Sequence, residues 1–285
     1  MDFSSNKTWV MGILNVTPDS FSGDGIWTTN DPIDAAIIQA KQFIRQGVDI
    51  LDIGAESTRP GADIVDEQEE IKRAIPIIKA VRQEFPTVII SIDTYKAHVA
   101  EKAIENGANW INDVWGFKAD PEMAAIAAKY NVPCILMHNR SKTNNAQILK
   151  NLGGRYVGMH YQDFIEDIKQ ELIESVKIGL QAGVRSENII LDPGIGFGKT
   201  VEQNLYLLNH LDAIKSLGFP ILLGPSRKSF IGYTLNLPPQ DRLEGTLAAI
   251  VVGILRGADI IRVHDVQAGV RVATMVNAIR NSQIG

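Results

Sequence analysis

Gly47-Val48-Asp49-Ile50-Leu51-Asp52-Ile53-Gly54 holds one turn of a repeating plan. A glycine able to take the left-handed cap closes a helical stretch, an aspartate can tie the turn, and an apolar run follows with an acidic residue inside it. The same order returns at Gly107-Ala108-Asn109-Trp110 and Gly257-Ala258-Asp259-Ile260. Further out, eight short apolar runs punctuate the chain, each meeting a polar group. Val10 to Val16 encloses Asn15, Ile50 to Gly54 carries Asp52 with Glu56 beyond, and Val88 to Ile92 meets Asp93. Trp110 and Ile111 run into Asn112 and Asp113, Cys134 to Met137 meets His138, and Ile189 to Leu191 meets Asp192. Ile221 to Leu223 leads to Ser226, Arg227 and Lys228, and Ile260 to Val263 carries Arg262 and meets His264. Helical periodicity fills the intervals. The alternation predicts an α/β chain folded as a (β/α)8 TIM barrel, with functional groups at the C-terminal strand ends.

The helices carry start and stop signals. Asp31-Pro32 and Asp120-Pro121 each read as an N-cap followed by proline, and Asp66 and Thr200 open two more helices. Ile33, Ala36, Ile37, Ala40 and Ile44 form the expected inward face of the first helix, and Ile71, Ile75, Ile78 and Val81 that of the second. The segments 17–30, 56–65 and 140–155 lack period and follow strand C-termini, where a barrel keeps its site loops. With 285 residues and no linker composition, the chain reads as one domain over 1–285; about 250 residues is typical of such a barrel. A net charge of -5 supplies no basic field for nucleic acid, so any anion site is local. The longest apolar run, Leu247 to Leu255, is too short to span a bilayer. The lone cysteine, Cys134, sits in an apolar run and reads as buried, and the expected location is cytoplasmic.

Asp93, Asn112 and Asp192 end strands three, four and six. Together they offer two carboxylates and an amide that can read the amino and ring N–H edge of a heterocycle, or stabilise a cation on it. A single strand-end Asp is as readily a cap; three at equivalent places weigh against that. Asn15-Val16-Thr17-Pro18-Asp19-Ser20 is good turn chemistry, yet its amide can also serve a hard cation or a phosphate. Asp192-Pro193-Gly194-Ile195-Gly196-Phe197-Gly198-Lys199 lacks both the dinucleotide and the P-loop spacing. Its glycines allow close approach of the backbone to a ligand, with Phe197 packing on it. Ser226-Arg227-Lys228-Ser229 follows strand seven, and Arg262 and His264 share a face of strand eight. Loops after strands seven and eight are the usual phosphate region of a barrel, so the Arg–His pair suits a phosphate or pyrophosphate. The plain alternative is that Arg262 pairs with a barrel carboxylate.

Taken in order, the blocks Gly12 to Ser22, Asp52 to Gly61, Ser91 to Lys96, Ile111 to Val114, Leu191 to Lys199, Leu223 to Ser229 and Arg262 to Asp265 make the chain resemble the dihydropteroate synthase family from Val10 to Asp265. The resemblance implies a transferase that condenses 6-hydroxymethyl-7,8-dihydropterin pyrophosphate with p-aminobenzoate. It assigns Asp93, Asn112, Met137, Asp192 and Lys228 to the pterin, and Asn15, Arg262 and His264 to the pyrophosphate. It places Thr58, Arg59, Pro60, Phe197 and Ser229 around p-aminobenzoate, Phe21 and Asp24 in a mobile loop, and Asn15 beside Mg²⁺. It also implies a homodimer. No role follows for His138-Asn139-Arg140-Ser141. A corrinoid-dependent pterin methyltransferase would share the carboxylates but not the Ser-Arg-Lys-Ser block or the Arg262–His264 pair. A Schiff-base aldolase would use Lys228, and a non-catalytic pterin binder would release no pyrophosphate.

Overall fold

The structure is a computed structural model that describes residue 3 and residues 7–17, 31–57, 64–142, 145–149, 151–157 and 159–283. Eight parallel strands form its centre: β1 (Trp9–Asn15), β2 (Ile50–Gly54), β3 (Ile89–Asp93), β4 (Trp110–Asp113), β5 (Cys134–Met137), β8 (Ile189–Asp192), β9 (Leu222–Leu223) and β10 (Ile260–Val263). Neighbours pair in the order β8-β5-β4-β3-β2-β1-β10-β9, and a parallel bridge from Leu191 to Ile221 closes the ring. The connecting helices are α1 (Pro32–Arg45), α2 (Glu67–Glu84), α3 (Ala97–Glu105), α4 (Met123–Tyr130), α5 (Phe164–Ala182), α6 (Val201–Asn209), α7 (Leu211–Lys215), α8 (Ser229–Leu235), α9 (Leu243–Leu255) and α10 (Val266–Arg280). This is the expected barrel.

Strand alternation sorts the residues into two cores. Val10, Leu14, Leu51, Ile53, Ile90 and Ile92 pack outward under the helices. Met11, Ile50, Trp110, Ile135, Ile190, Leu222 and Ile260 fill the barrel floor. In β2, Ile50 and Asp52 are two residues apart and so share the inward face. The interior therefore changes from apolar at the floor to charged at the mouth.

The repeat quoted above has a definite task. Gly47, Gly107 and Gly257 all have positive φ, at 91°, 117° and 104°. The acid or amide two residues later reaches across to the strand beside it. Asp49 accepts from the Val10 N–H at 2.8 Å, Asn109 from Ile90 at 3.1 Å and Asp259 from Ile221 at 2.7 Å. Each ties the start of the neighbouring strand rather than its own turn, and so helps set the barrel register.

Caps at Asp31, Asp66 and Thr200 are as expected, the last completed as a capping box by Gln203. Asp120 differs. Helix α4 begins later, at Met123, and the Asp120 carboxylate accepts from the N–H of Glu122 and from Ala97 at the start of α3. Lys96 gives α3 no side-chain cap, so the acid is borrowed from the next loop. The helix faces also turn slightly. In α1, Phe43 is buried with Ala36 and Ala40 while Ile33 stays exposed. In α2, Glu70 enters with Ala74, Ile77, Ile78 and Val81, because Lys96 waits there to pair with it at 2.5 Å. Part of the non-periodic segment after β5 is a hairpin: β6 (Ala146–Leu149) pairs antiparallel with β7 (Gly153–Tyr156). Cys134 is buried, its thiol pushed up by desolvation.

Candidate active site

Seven of the residues picked from sequence line one pocket at the C-terminal mouth: Asn15, Asp93, Phe197, Lys228, Ser229, Arg262 and His264. Asn112, Met137 and Asp192 are buried beside it, 4%, 4% and 5% exposed. Asn15, Gly54, Asp93 and Asn112 lie in one register row, and Met137 pairs with Asp192 in another. Period-two alternation thus aims them from their strand ends into a common space. Thr58, Arg59, Pro60, Phe21 and Asp24 lie outside the described residues.

Arg262 is the centre of charge. Its Nε donates to Asp52 Oδ2 and an Nη to Asp93 Oδ2, both at 2.6 Å. Asn112 adds an amide N–H to the same Asp52 oxygen at 3.0 Å. The plain reading of Arg262 therefore holds in this state: it pairs with two barrel carboxylates while lining the pocket. Burial disfavours its charge, but Asp52 and Asp93 outweigh that and hold its pKa above the ordinary value. Burial lifts Asp93 to about 7 even against Arg262, with Asp52 adding to the rise. Asp52, fully buried, received no site role from sequence. The signal was there, an acid inside a strand of apolar residues; its partners were not.

Asp192 is raised by burial, opposed by Lys228 and by the Gly194 N–H, which donates to its Oδ1 at 2.7 Å. Burial lowers Lys228 to about 8, against the pull of Asp192. Its ammonium donates to the Ile195 carbonyl at 2.5 Å and stands 4.7 Å from the centre of the Phe197 ring. Lys228 is also the residue before the first turn of α8, so Ser229 opens that helix.

Ser226 accepts from the His264 backbone N–H at 3.1 Å, and its hydroxyl lies 2.9 Å from His264 Nδ1. Between Ser226 and Lys228, Arg227 has a φ of 55°, uncommon for a residue with a side chain. Several contacts hold it there: two hydrogen bonds to Asp265, one from its N–H to Thr246 and one from Arg242 to its carbonyl. Arg242 also reaches Leu152 at the hairpin turn. A second network missed by sequence lies at the base of the loop after β2. Lys96 bridges Glu56 and Glu70 at 2.5 Å each, and Glu56 lines the pocket.

The glycines after β8 face protein more than ligand. A Cβ on Gly194 would stand 1.8 Å from the His138 carbonyl oxygen, and one on Gly198 2.4 Å from the Arg140 backbone. Their φ values of 68° and 58° add a second restriction. Gly196 alone faces the site, against the Lys228 side chain. The segment after β5, without a role from sequence, is therefore the wall on which the glycine loop rests.

Chains of known activity share this sequence and this fold. Residues 11–264 match the pterin binding enzyme family. A dihydropteroate synthase from Clostridium beijerinckii is 56% identical over 96% of this chain and 94% of its own. The crystal structure of dihydropteroate synthase from Clostridium difficile, in the presence of pteroic acid, superimposes with a TM-score of 0.88 at 46% identity, covering 99% of this chain and 100% of that one. A Xanthomonas albilineans dihydropteroate synthase with 4-aminobenzoic acid gives 0.86 at 36% identity, covering 97% and 94%. With its strand-end carboxylates, its Lys228 and its Arg262–His264 pair gathered at one barrel mouth, the chain belongs to the pterin-binding enzymes, in the dihydropteroate synthase family.

Proposed function

We propose that the pocket at the barrel mouth is where this chain, a transferase of folate biosynthesis, joins 6-hydroxymethyl-7,8-dihydropterin pyrophosphate to p-aminobenzoate. The carrying observation is the convergence of Asn15, Asp93, Lys228, Arg262 and His264 on one pocket with Asp192 and Asn112 buried beside it. Asp93, Asn112 and Asp192 read the polar edge of the pterin, Met137 packs beneath the ring, and Lys228 bonds to it. Arg262 and His264 neutralise the diphosphate as the methylene C–O bond breaks. The positive charge left on the methylene spreads into the ring, where Asp93 and Asp192 stabilise it. The arylamine nitrogen then forms the new C–N bond and sheds a proton to the departing diphosphate or to solvent. Phe197 and Ser229 form the described part of the p-aminobenzoate wall. Arylamines are weak bases, so the reaction needs no strong general base.

Asn15 offers a neutral oxygen at the mouth, and a diphosphate supplies more. Mg²⁺ takes few protein ligands when phosphates are present, so the donor set fits it. Among the described residues no three His, Cys, Asp or Glu side chains converge to hold a metal by themselves. When bound, Mg²⁺ supplies positive charge to the leaving group. The homodimer belongs to the same proposal. Val252 and Leu255 on α9 and Met275 and Ile279 on the adjacent α10 are exposed apolar residues that a second copy would cover. The cytoplasmic location expected from the sequence is part of the same proposal; no helix among the described residues is long and apolar enough to cross a membrane.

The test is incubation with both substrates and Mg²⁺. Dihydropteroate and pyrophosphate should form in equal amounts, and labelled pyrophosphate should exchange into the pterin substrate without p-aminobenzoate. Product without such exchange would point to direct displacement by the amine. No product from the wild-type chain would overturn the reading.

A further inference from the structure

Lys199 takes no part in the chemistry above, yet it is 2% exposed and among the largest side chains fully enclosed. Its ammonium donates to the Gly194 carbonyl at 2.9 Å and to the Phe197 carbonyl at 3.0 Å, and lies 2.9 Å from His138 Nδ1. His138 is itself 3% exposed, and its Nε2 lies 3.1 Å from the Glu171 carboxylate. Burial and the neighbouring ammonium lower His138 to about 3, so the ring is neutral. An ammonium can only donate, so Nδ1 accepts from Lys199 and the ring proton sits on Nε2, close to Glu171 but not aligned for a hydrogen bond with it. Burial lowers Lys199 to about 7 and Asp192 pulls it back toward the charged form; as the ammonium, its three protons meet three acceptors.

Gly194 joins this cation to the site. Its N–H donates to Asp192 Oδ1, while its carbonyl accepts from Lys199. No side chain fits at that position, since a Cβ would strike the His138 carbonyl. The glycine is thus pinned on three sides, and the Asp192 carboxylate is oriented by the peptide that Lys199 holds.

We propose that Lys199 is a positioning residue for Asp192: seated on neutral His138, its buried ammonium holds the Gly194 peptide that aims the carboxylate, and places positive charge behind it. The inference rests on Asp192 as a pterin-binding carboxylate, and the experiment separates the two. Asp192→Asn, Lys199→Met and the double variant are compared for pterin diphosphate binding and kcat, with thermal melts confirming folding. Lys199→Met should cost about tenfold in affinity and turnover in the wild-type background, the scale of coupling between neighbours in one network. In the Asp192→Asn background it should cost little. Equal loss in both backgrounds would make Lys199 a packing residue and overturn the proposal. Full binding and turnover by Asp192→Asn alone would instead remove the pterin role of Asp192, and the proposal with it. Should Lys199→Met fail to fold, His138 decides. His138→Asn keeps an acceptor near the Nδ1 position and should retain activity that His138→Leu loses; equal loss in these two overturns the proposal.

Discussion

The two ends of the barrel obey opposite rules. The floor is built from Met11, Ile50, Trp110, Ile135, Ile190, Leu222 and Ile260, nearly or fully buried and held by close packing. The mouth, a few residues further along the strands and into the loop after β9, crowds Asp52, Asp93, Asp192, Arg262 and Lys228 together, most of them largely withdrawn from solvent. The floor gains from burial as such, at about 25 cal/mol per Å² of apolar surface. The mouth loses solvation for every charge and recovers it only through partners. Asp52 Oδ1 and Ser91 Oγ, paired residues of β2 and β3, are buried without a hydrogen-bond partner among the described residues. Stability is concentrated at one end and chemistry at the other, which is the usual division of labour in this fold.

The largest effect should come from removing the hub of the mouth. Arg262→Ala leaves Asp52 and Asp93 without their cation, and breaking a buried pair this way costs about 3–5 kcal/mol. Denaturant unfolding should show that loss. Affinity for the pterin diphosphate should fall far more than affinity for the unphosphorylated pterin. Equal losses for both ligands would mean that Arg262 serves only to hold the carboxylates.

A smaller effect is a pH signature confined to the mouth. Asp93 is raised to about 7 in the folded protein, above its value in the unfolded chain. Between about pH 4 and 7 the folded state then binds more protons than the unfolded one, so its stability falls as pH rises, by at most about 1.4 kcal/mol per pH unit. The contribution is complete below the unfolded pKa and gone above about 7. His138, lowered in the fold, works in the opposite sense over part of that range. The measurement is therefore a difference: the stability of wild type relative to Asp93→Asn should decline from pH 4 to 7 and then level off. A flat difference would show that Arg262 keeps Asp93 ionised throughout.

The smallest effect belongs to the floor. Ile50→Val removes one methylene from a fully buried position and should cost about 1 kcal/mol in stability. Both kcat and KM should stay unchanged. A shift in KM for the pterin would show that floor packing sets the geometry of the mouth, and the separation between the two ends would fail.

Much of this division is visible in the residues themselves. Alternation places Ile50 and Asp52 on one face of a strand, Asp31, Asp66 and Thr200 announce their helices, and glycine closes them at Gly47, Gly107 and Gly257. Asp93, Asn112, Asp192, Arg262 and His264 stand out as polar groups at the ends of apolar runs, and most of them share the pocket or its wall. The β6–β7 hairpin escaped because its strands are short and mostly exposed, so little hydrophobic pattern marks them. Glu70 escaped because an acid on the buried stripe of α2 makes sense only beside Lys96, a residue of the next loop. The sequence reads the glycines after β8 as allowing the backbone to approach a ligand; at Gly194 and Gly198 what approaches is instead the segment after β5.

Sequence by itself determined the barrel and the groups its strands carry to the mouth, because helix period, strand alternation and caps are local chemistry between residues a few positions apart. Only the tertiary structure decided which of those groups pair. Arg262 meets Asp52 across 210 residues and Asp93 across 169, and Lys199 meets His138 across 61. Burial removes water as a partner and obliges each charge to find another within hydrogen-bonding distance. Closure of the ring, β10 beside β1 and β8 bridged to the start of β9, brings those distant groups within reach.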